Sequence, residues 1–266
     1  MTESKAGAVH LRDWGGPGLP ILLTHGMAAH SHWWNEVVPL WGDRFRAVAL
    51  DFRGHGDSDP APDGQYTIEL WMEDIETARR ALGWDRFLLC GHSMGARIAL
   101  TYAQRRPQAL RGVVAVDFLP QAPSTRATRF QRASGRAAPV YRDEEAILSR
   151  FRLEPGGTTM APEKVRALGR EGVRRGGEGW SWKFDWRCLS LPIPPVWPQL
   201  PEIRVPTLMV RGELSAIINP EDFVRVTRDV PGARGVTIPG AHHHVPLDSP
   251  KELAEAVEEF AAGLPA

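Results

Sequence analysis

A serine between two glycines is the first group in this sequence whose surroundings suit catalysis. In "CGHSMGA" (90–96), Gly91, Ser93 and Gly95 match the pattern G-x-S-x-G, directly after an apolar run and before a helical pattern. A strand-to-helix turn this sharp crowds its neighbours, so we expect the two glycines to relieve contact while the serine is pushed outward. The N–H groups at the start of the helix would then face developing negative charge. The pattern predicts a nucleophilic serine.

Two further motifs could supply the other groups that such a serine needs. "THGMAAH" (24–30) follows an apolar run, and we expect the backbone N–H groups of Met27 and Met94 to form an oxyanion hole. "PGAHHHVPLDSP" (239–250) offers three consecutive histidines where a general base is expected, last in the chain order Ser, acid, His. Consecutive side chains cannot all turn toward one ion, so no metal site is predicted here.

The composition narrows the classes of function. The 266 residues carry 32 basic and 32 acidic side chains, and a net charge of zero argues against a nucleic-acid partner. No run approaches ~18 apolar residues, so no membrane span is expected. The segment "MTESKAGAVHLRDWGG" lacks the apolar stretch of a signal peptide, and the two cysteines do not make a disulfide framework. These features predict a cytoplasmic protein.

The elements that must position these residues follow an alternating order of strands and helices, which is typical of a mostly parallel sheet. Strands are predicted at 8–14, 20–25, 45–51, 86–92, 110–117, 205–212 and 234–240. Helices are predicted at 67–82 and 96–106, and from Asn219 and Ser249 onward, the last with a capping box between Ser249 and Glu252.

The alternation breaks at residues 119–203, a segment rich in Pro, Arg, Gly and Trp. It is too long for a plain loop in a compact domain. Helical patterns occur near 143–152 and 162–174, and no strand alternation is convincing. We therefore predict a helical lid inserted into an α/β core formed by residues 1–118 and 204–266.

The chain resembles the lidded members of the α/β-hydrolase family. "HGM", "DFRGHGDSD", "GHSMG", "VPTLMVRGE" and "GAHHHVPLDSP" occur in the family's order, and only residues 119–203 lack a match. The resemblance implies the α/β-hydrolase fold, a serine esterase or lactonase activity, and no cofactor. It also aligns His243 with the family's base, in preference to His242, which takes a place where the family usually has glycine.

The family's pattern has a gap at Ala216. Relatives whose strand ends R-G-E-x-S commonly carry the acidic member of the triad there, and an alanine cannot orient an imidazole. Three explanations remain open: an acid at Asp117, as in haloalkane dehalogenases and certain lactone hydrolases; an acid at Glu213; or a natural Asp at 216 that was mutated or lost. We take Asp117 as the prediction.

The substrate is predicted only as a class. Trp33, Trp34 and Trp186 are taken as an apolar lining between the sheet and the lid, with packing as the alternative. An Arg-rich section of the lid is expected to be a solvated helix face: Arg126, Arg129, Arg132 and Arg136.

The leading prediction is a serine hydrolase acting on a carboxylic ester or lactone of a moderately hydrophobic small molecule, with Ser93, His243 and Asp117 as the triad. One alternative is a C–C bond hydrolase that uses the same triad. The other is a ligand-binding module that has lost turnover, for which Ala216 is the only support in the sequence.

Overall fold

The computed structural model describes residues 2–121, 133–135, 137–192 and 194–265. The four arginines of the predicted solvated face, Arg126, Arg129, Arg132 and Arg136, lie outside these residues. Within the described ranges, no helix is long and apolar enough to cross a membrane.

An eight-stranded sheet forms the centre of the molecule, in the order β1-β2-β4-β3-β5-β6-β9-β10. Its strands are β1 (Thr2–Ala6), β2 (Val9–Gly15), β3 (Leu19–Thr24), β4 (Phe45–Asp51), β5 (Phe87–His92), β6 (Leu110–Val116), β9 (Thr207–Gly212) and β10 (Arg234–Ile238). β2 pairs antiparallel with β1 and β4, and all the other pairs are parallel. Both faces of the parallel part are covered, which is why β5 is buried along its whole length and reads as a continuous apolar run.

The helices of the described chain lie on the two faces of this sheet or in the inserted segment. They are α1 (Val38–Trp41), α2 (Ile68–Ala81), α3 (Met94–Arg105), α4 (Glu144–Leu148), α5 (Pro162–Glu171), α6 (Pro220–Asp229), α7 (Val245–Asp248) and α8 (Pro250–Ala262). Because side chains alternate across a strand, Leu22 packs with the helices on one face, and Ile21 and Leu23 pack on the other.

The start of the last helix differs from the prediction. α8 begins at Pro250 as expected, but Ser249 forms no side-chain capping bond, so the predicted capping box is wrong. The N–H group of Ser249 donates to Val245 O at 3.0 Å, in the preceding helix α7. This contact gives Ser249 φ −140° and ψ 60°, outside the extended conformation from which a capping side chain reaches the helix.

One strand of the central sheet was not predicted from the sequence. β1 is polar and shows no apolar alternation, and it forms by pairing with β2, with Thr2 opposite Asp13 and Ala6 opposite Val9. Gly7 in the connecting turn has φ 61°, a conformation that glycine adopts without strain. The pairing partner, rather than the local sequence, determines this strand.

The inserted segment is only partly helical. Besides α4 and α5 it contains an antiparallel hairpin of β7 (Val173–Gly176) and β8 (Gly179–Trp182), so the prediction of a purely helical insertion is wrong. The hairpin buries Val173 against Ile147 and Leu148 of α4, in a small core that also contacts three aromatic residues. Four-residue strands carry too little alternation to be recognised without this packing partner.

Candidate active site

Ser93 occupies a strained turn between β5 and α3. Its backbone has φ 56° and ψ −114°, in the left-handed region that residues other than glycine rarely adopt. A Cβ atom on Gly91 would lie 2.4 Å from the carbonyl carbon of Gly95, and one on Gly95 would lie 2.6 Å from Thr24 Oγ1. The turn therefore requires glycine at both places, as the sequence predicts.

The structure brings Ser93, His243 and Asp117 together in a line of hydrogen bonds. His243 Nε2 lies 3.1 Å from Ser93 Oγ, and His243 Nδ1 lies 2.7 Å from Asp117 Oδ1. Asp117 and His243 are both buried. An acid, an imidazole and a hydroxyl in this arrangement can move the hydroxyl proton onto the imidazole.

The sheet order explains why residues so distant in the chain meet. β5, β6 and β9 are adjacent and parallel, so Ser93 after β5, Asp117 after β6 and Gly212 at the end of β9 share one edge of the sheet. The loop after β10, the last strand, carries His243 to the same edge.

The loop around Ala216 contributes to the site through a residue that sequence reasoning missed. The Ser215 hydroxyl donates to Asp117 Oδ1 at 2.7 Å, and the Gly212 N–H group donates to Asp117 Oδ2 at 2.7 Å. The only signal in the sequence was a serine beside the gap in the family pattern. Instead of an acid, this loop provides hydrogen-bond donors to an acid on the neighbouring strand.

Glu213, the second candidate for the acid, is occupied elsewhere. Its carboxylate accepts a hydrogen bond from the Gly240 N–H group at 2.8 Å, on the exposed side of the loop. The contact holds the loop after β9 against the loop after β10, which gives Glu213 a structural role.

The backbone that was predicted to hold an oxyanion lies close to the nucleophile. A Cβ atom on Gly26 would lie 3.2 Å from Ser93 Cβ, a tight contact that glycine avoids. Met94 is the first residue of α3, and its N–H group is one of the four that have no partner within a helix. Met27 and Met94 line a cavity together with Ser93. The oxyanion hole stays a prediction.

Ser93 borders two cavities of different character. The first, of about 60 Å³, is mostly apolar and includes Ile98, Leu119 and Ile217. The second, of about 150 Å³, is lined by His92, His243 and His244 together with Arg152 and Glu154. A molecule that reaches Ser93 could therefore place different parts in different surroundings.

The three tryptophans of the predicted lining lie in different places. Trp33 lines the second cavity beside Ser93. Trp186 lines a third cavity, of about 320 Å³, which shares Phe151 and Arg152 with the second. Trp34 is fully buried in the core, so the prediction that it contacts substrate is wrong. It is the last residue of the 3₁₀ turn Ser31–Trp34 and belongs to the buried cluster that contains Ile21 and Leu23 of β3.

The third cavity is positively charged. Arg150, Arg152 and Lys183 line it, and its described lining contains no acidic residue. Lys183 forms an ion pair with Asp57 at 2.7 Å, whereas neither arginine has an acidic partner among the described residues. Burial lowers the pKa of His30, which also lines this cavity, to about 3, so this imidazole is neutral.

A second residue missed by the sequence reading connects the insertion to the core. Arg97 on α3 is buried, and its guanidinium donates to the carbonyls of Leu119, Pro120 and Pro194, at both ends of the insertion. Burial lowers the pKa of Arg97 to about 10. Arg97 also lines the apolar cavity, so the attachment of the insertion and the wall of the site depend on the same side chain.

Comparisons with known proteins agree with this architecture. The chain is 28% identical over 250 residues to 2-(acetamidomethylene)succinate hydrolase of Mesorhizobium japonicum, covering 92% of this chain and 88% of the relative. The crystal structure of E-2-(acetamidomethylene)succinate hydrolase superposes with a TM-score of 0.84 at 25% identity, over 98% of each chain.

Two other relatives are named for activities that differ from that of the succinate hydrolase. Esterase Rv0045c of Mycobacterium tuberculosis is 28% identical, over 95% of this chain and 86% of its own length. N-formylmaleamate deformylase of Pseudomonas putida is 26% identical, over 94% and 91%. Hydrolysis is what these relatives have in common. The sequence model of the alpha/beta hydrolase fold family matches residues 20–250, and the chain belongs to this family.

Proposed function

We propose that the protein is a serine hydrolase that cleaves a carboxylic ester or lactone through an acyl-enzyme. The observation that carries the proposal is the position of His243, with Nδ1 2.7 Å from Asp117 and Nε2 3.1 Å from Ser93. Ala216 was the one feature in favour of a binding module without turnover. A carboxylate already in contact with His243 removes the need for an acid at that position.

The proposed steps follow from this geometry. Ser93 Oγ attacks the substrate carbonyl while its proton passes to His243 Nε2, and the N–H groups of Met27 and Met94 hold the oxyanion. His243 then gives the proton to the leaving oxygen. A water molecule attacks the acyl-enzyme with His243 again as base. Asp117 keeps the Nδ1–H tautomer and stabilises the imidazolium. The role of the inserted segment is that of a lid over the cavities beside Ser93.

The cavities favour a substrate with an apolar acyl part and a carboxylate. The apolar cavity beside Ser93 suits the apolar acyl part. The arginines of the third cavity suit the carboxylate, because guanidinium groups bind carboxylates in a bidentate manner. The names of two relatives refer to a succinate and a maleamate derivative, both of which carry a carboxylate. We therefore place small acidic esters and lactones first among the candidate substrates.

A matched pair of esters tests the proposal. With mono-4-nitrophenyl succinate and 4-nitrophenyl butyrate, we expect a burst of nitrophenol and an acyl adduct on Ser93 in the intact-protein mass. Arg152→Gln should lower kcat/KM for the succinate ester by about tenfold and leave the butyrate ester nearly unchanged, since a hydrogen bond to a charged group contributes about 1.5–3 kcal/mol. The control is Arg228→Gln, which removes an exposed arginine on α6.

Each part of this test can fail separately. Turnover without an adduct on Ser93 would contradict the acyl-enzyme. An equal loss for both esters in Arg152→Gln would contradict the carboxylate site and leave the serine mechanism in place. The absence of any adduct or turnover with a series of esters and lactones would favour the C–C bond hydrolase or the binding module.

The pH dependence should report the state of Asp117. Burial raises the pKa of Asp117 to about 7. The hydrogen bonds from Ser215 and Gly212 favour the carboxylate and so oppose this rise in the pKa. The active form has this carboxylate ionised and His243 neutral, so kcat/KM should rise with pH through about 7. Ser215→Ala removes a donor to the carboxylate and should move the midpoint up by about one pH unit.

The control for this effect is Ser215→Thr, which retains the hydroxyl group and should retain the midpoint. Profiles of kcat/KM between pH 5 and 9 on one activated ester provide the comparison. If Ser215→Ala lowers activity equally at every pH, the hydroxyl has a structural role only.

A further inference from the structure

Three buried histidines from two segments of the chain face the cavity that contains the nucleophile. His92 is the last residue of β5, and His243 and His244 lie on the loop after β10. Their ring centroids are 4.8–5.9 Å apart, and all three rings line the second cavity with Ser93. We refer to them as the histidine trio. The proposed hydrolysis uses only His243.

The hydrogen bonds assign a tautomer to each ring of the histidine trio. His92 Nε2 donates to His243 O at 2.9 Å, and His244 Nε2 donates to Pro155 O at 3.1 Å, because a carbonyl oxygen can only accept. The lone pairs of these two rings are therefore on Nδ1, and neither Nδ1 has a hydrogen-bond partner among the described residues. His243 donates from Nδ1 to Asp117, which leaves its lone pair on Nε2.

Unpartnered lone pairs are unusual for buried polar nitrogens and point to a ligand. A Cβ atom on Gly26 would lie 3.4 Å from His92 Nδ1 and 3.6 Å from Ser93 Oγ, so these two atoms border the same space. Gly26, His92 and Ser93 all line the second cavity.

The spacing of the trio suits a transition metal ion. One ring nitrogen of each histidine lies within 4.8 Å of those of the other two. An ion at the centre of a triangle with 4.8 Å sides lies about 2.8 Å from each nitrogen, and a Zn–N bond is about 2.0–2.1 Å long. The gap between each nitrogen and a zinc bond length is therefore less than about 1 Å. Three imidazoles and one open position form a common zinc geometry.

A second cluster with similar spacing lacks this property. His10, Asp51 and Asp57 also lie within the same limit. However, His10 Nδ1 contacts Asp51 at 2.8 Å and His10 Nε2 contacts Glu3 at 3.0 Å, so both ring nitrogens are already engaged. Asp51 further accepts hydrogen bonds from the N–H groups of Ser31 and Asp57. This cluster is a closed structural network.

We propose that the histidine trio binds a divalent transition metal ion such as Zn²⁺, and that the bound ion inhibits the enzyme. The ion would occupy His243 Nε2, the nitrogen that must accept the proton of Ser93, so the hydroxyl would lose its base. The sequence argued against a metal because three consecutive histidines cannot share an ion. The trio contains only two consecutive residues, His243 and His244, and its third member, His92, comes from β5. The inhibition rests on the proposed function, whereas the binding does not.

Two neighbouring histidines provide the test and its control. His244→Gln removes one ligand, and its amide can still donate toward Pro155. His242→Gln alters an adjacent histidine outside the trio, whose Nδ1 faces Gly157. We expect Zn²⁺ to bind the unmodified protein with one ion per chain in equilibrium dialysis, and His244→Gln to weaken binding by at least about tenfold. His242→Gln should bind as the unmodified protein does.

The functional consequence is measured with the same three proteins. At a Zn²⁺ concentration about ten times its Kd, we expect a loss of about nine-tenths of ester turnover and of fluorophosphonate labelling of Ser93, with recovery on addition of EDTA. Mg²⁺, which prefers oxygen ligands, should not inhibit. Equal binding by His244→Gln and the unmodified protein would overturn the site, whereas retention of activity with the ion bound would overturn the inhibition.

A spectroscopic measurement keeps the proposal testable if His244→Gln fails to fold or if no ester is turned over. Co²⁺ bound to the unmodified protein should show the intense d–d absorption of a four-coordinate ion with nitrogen ligands. Weak octahedral bands, or no protein-dependent absorption, would overturn the site independently of any catalytic activity.

Discussion

Replacement of Ser93 by alanine is expected to lower kcat for an activated ester on the order of 10⁶-fold, close to the loss seen when a catalytic serine is removed from a well-studied triad. The reason is that no other hydroxyl in the described site lies between His243 Nε2 and the backbone N–H groups at the start of α3. The rate of turnover of 4-nitrophenyl esters and the extent of labelling by a fluorophosphonate measure the loss directly.

The matched control is Ser190→Ala, which removes an exposed hydroxyl that donates to Arg187 O at 2.7 Å. It should retain both turnover and labelling. The serine mechanism is contradicted if Ser93→Ala still hydrolyses the ester within tenfold of the unmodified rate, or if the probe labels another residue in both proteins.

Asp117→Asn is expected to lower kcat by about 10⁴-fold. The asparagine amide would face His243 Nδ1 with either its NH₂ group or its carbonyl, and only the carbonyl could keep the Nδ1–H tautomer. The Ser215 hydroxyl and the Gly212 N–H group, which both donate to position 117, would then compete for that single acceptor. Without a negative charge, the imidazolium formed during catalysis also loses its stabilisation.

Two variants in the loop after β9 test the competing assignments of the acid. Glu213→Gln should retain activity within a few fold, since the Glu213 side chain accepts from Gly240 and does not contact His243. Ala216→Asp should not raise turnover, because Asp117 already supplies the carboxylate. If Asp117→Asn retains full activity, Asp117 is not the acid. If Ala216→Asp raises turnover by orders of magnitude, position 216 is where an acid was lost.

These variants need a measure of folding because Asp117 is buried. Far-ultraviolet circular dichroism and thermal unfolding of Asp117→Asn should match the unmodified protein closely enough to exclude loss of the fold as the cause of inactivity.

Local patterns in the sequence determine most of the core. The turn at Ser93 could be predicted because the strand, the two glycines and the helix lie within a few residues of one another, and steric crowding in such a turn permits only glycine at positions 91 and 95. The buried parallel strands could be predicted because two covered faces require continuous apolar runs. The hairpin in the insertion could not be predicted, because its short strands are stabilised by packing against α4 and have no clear apolar alternation of their own.

The acid and the histidine trio depended on the tertiary structure. The sequence favours Asp117 and leaves Glu213 and position 216 open, and only the packing of β6 beside β9 shows that Asp117 reaches His243. Ser215 of the next loop donates to Asp117. In the same way, His92 and His244 are 152 positions apart in the chain and meet because the loop after β10 folds back over β5. Sequence determines which groups are present and how each element forms. Distances between elements arise from sheet order and burial, which no local pattern encodes.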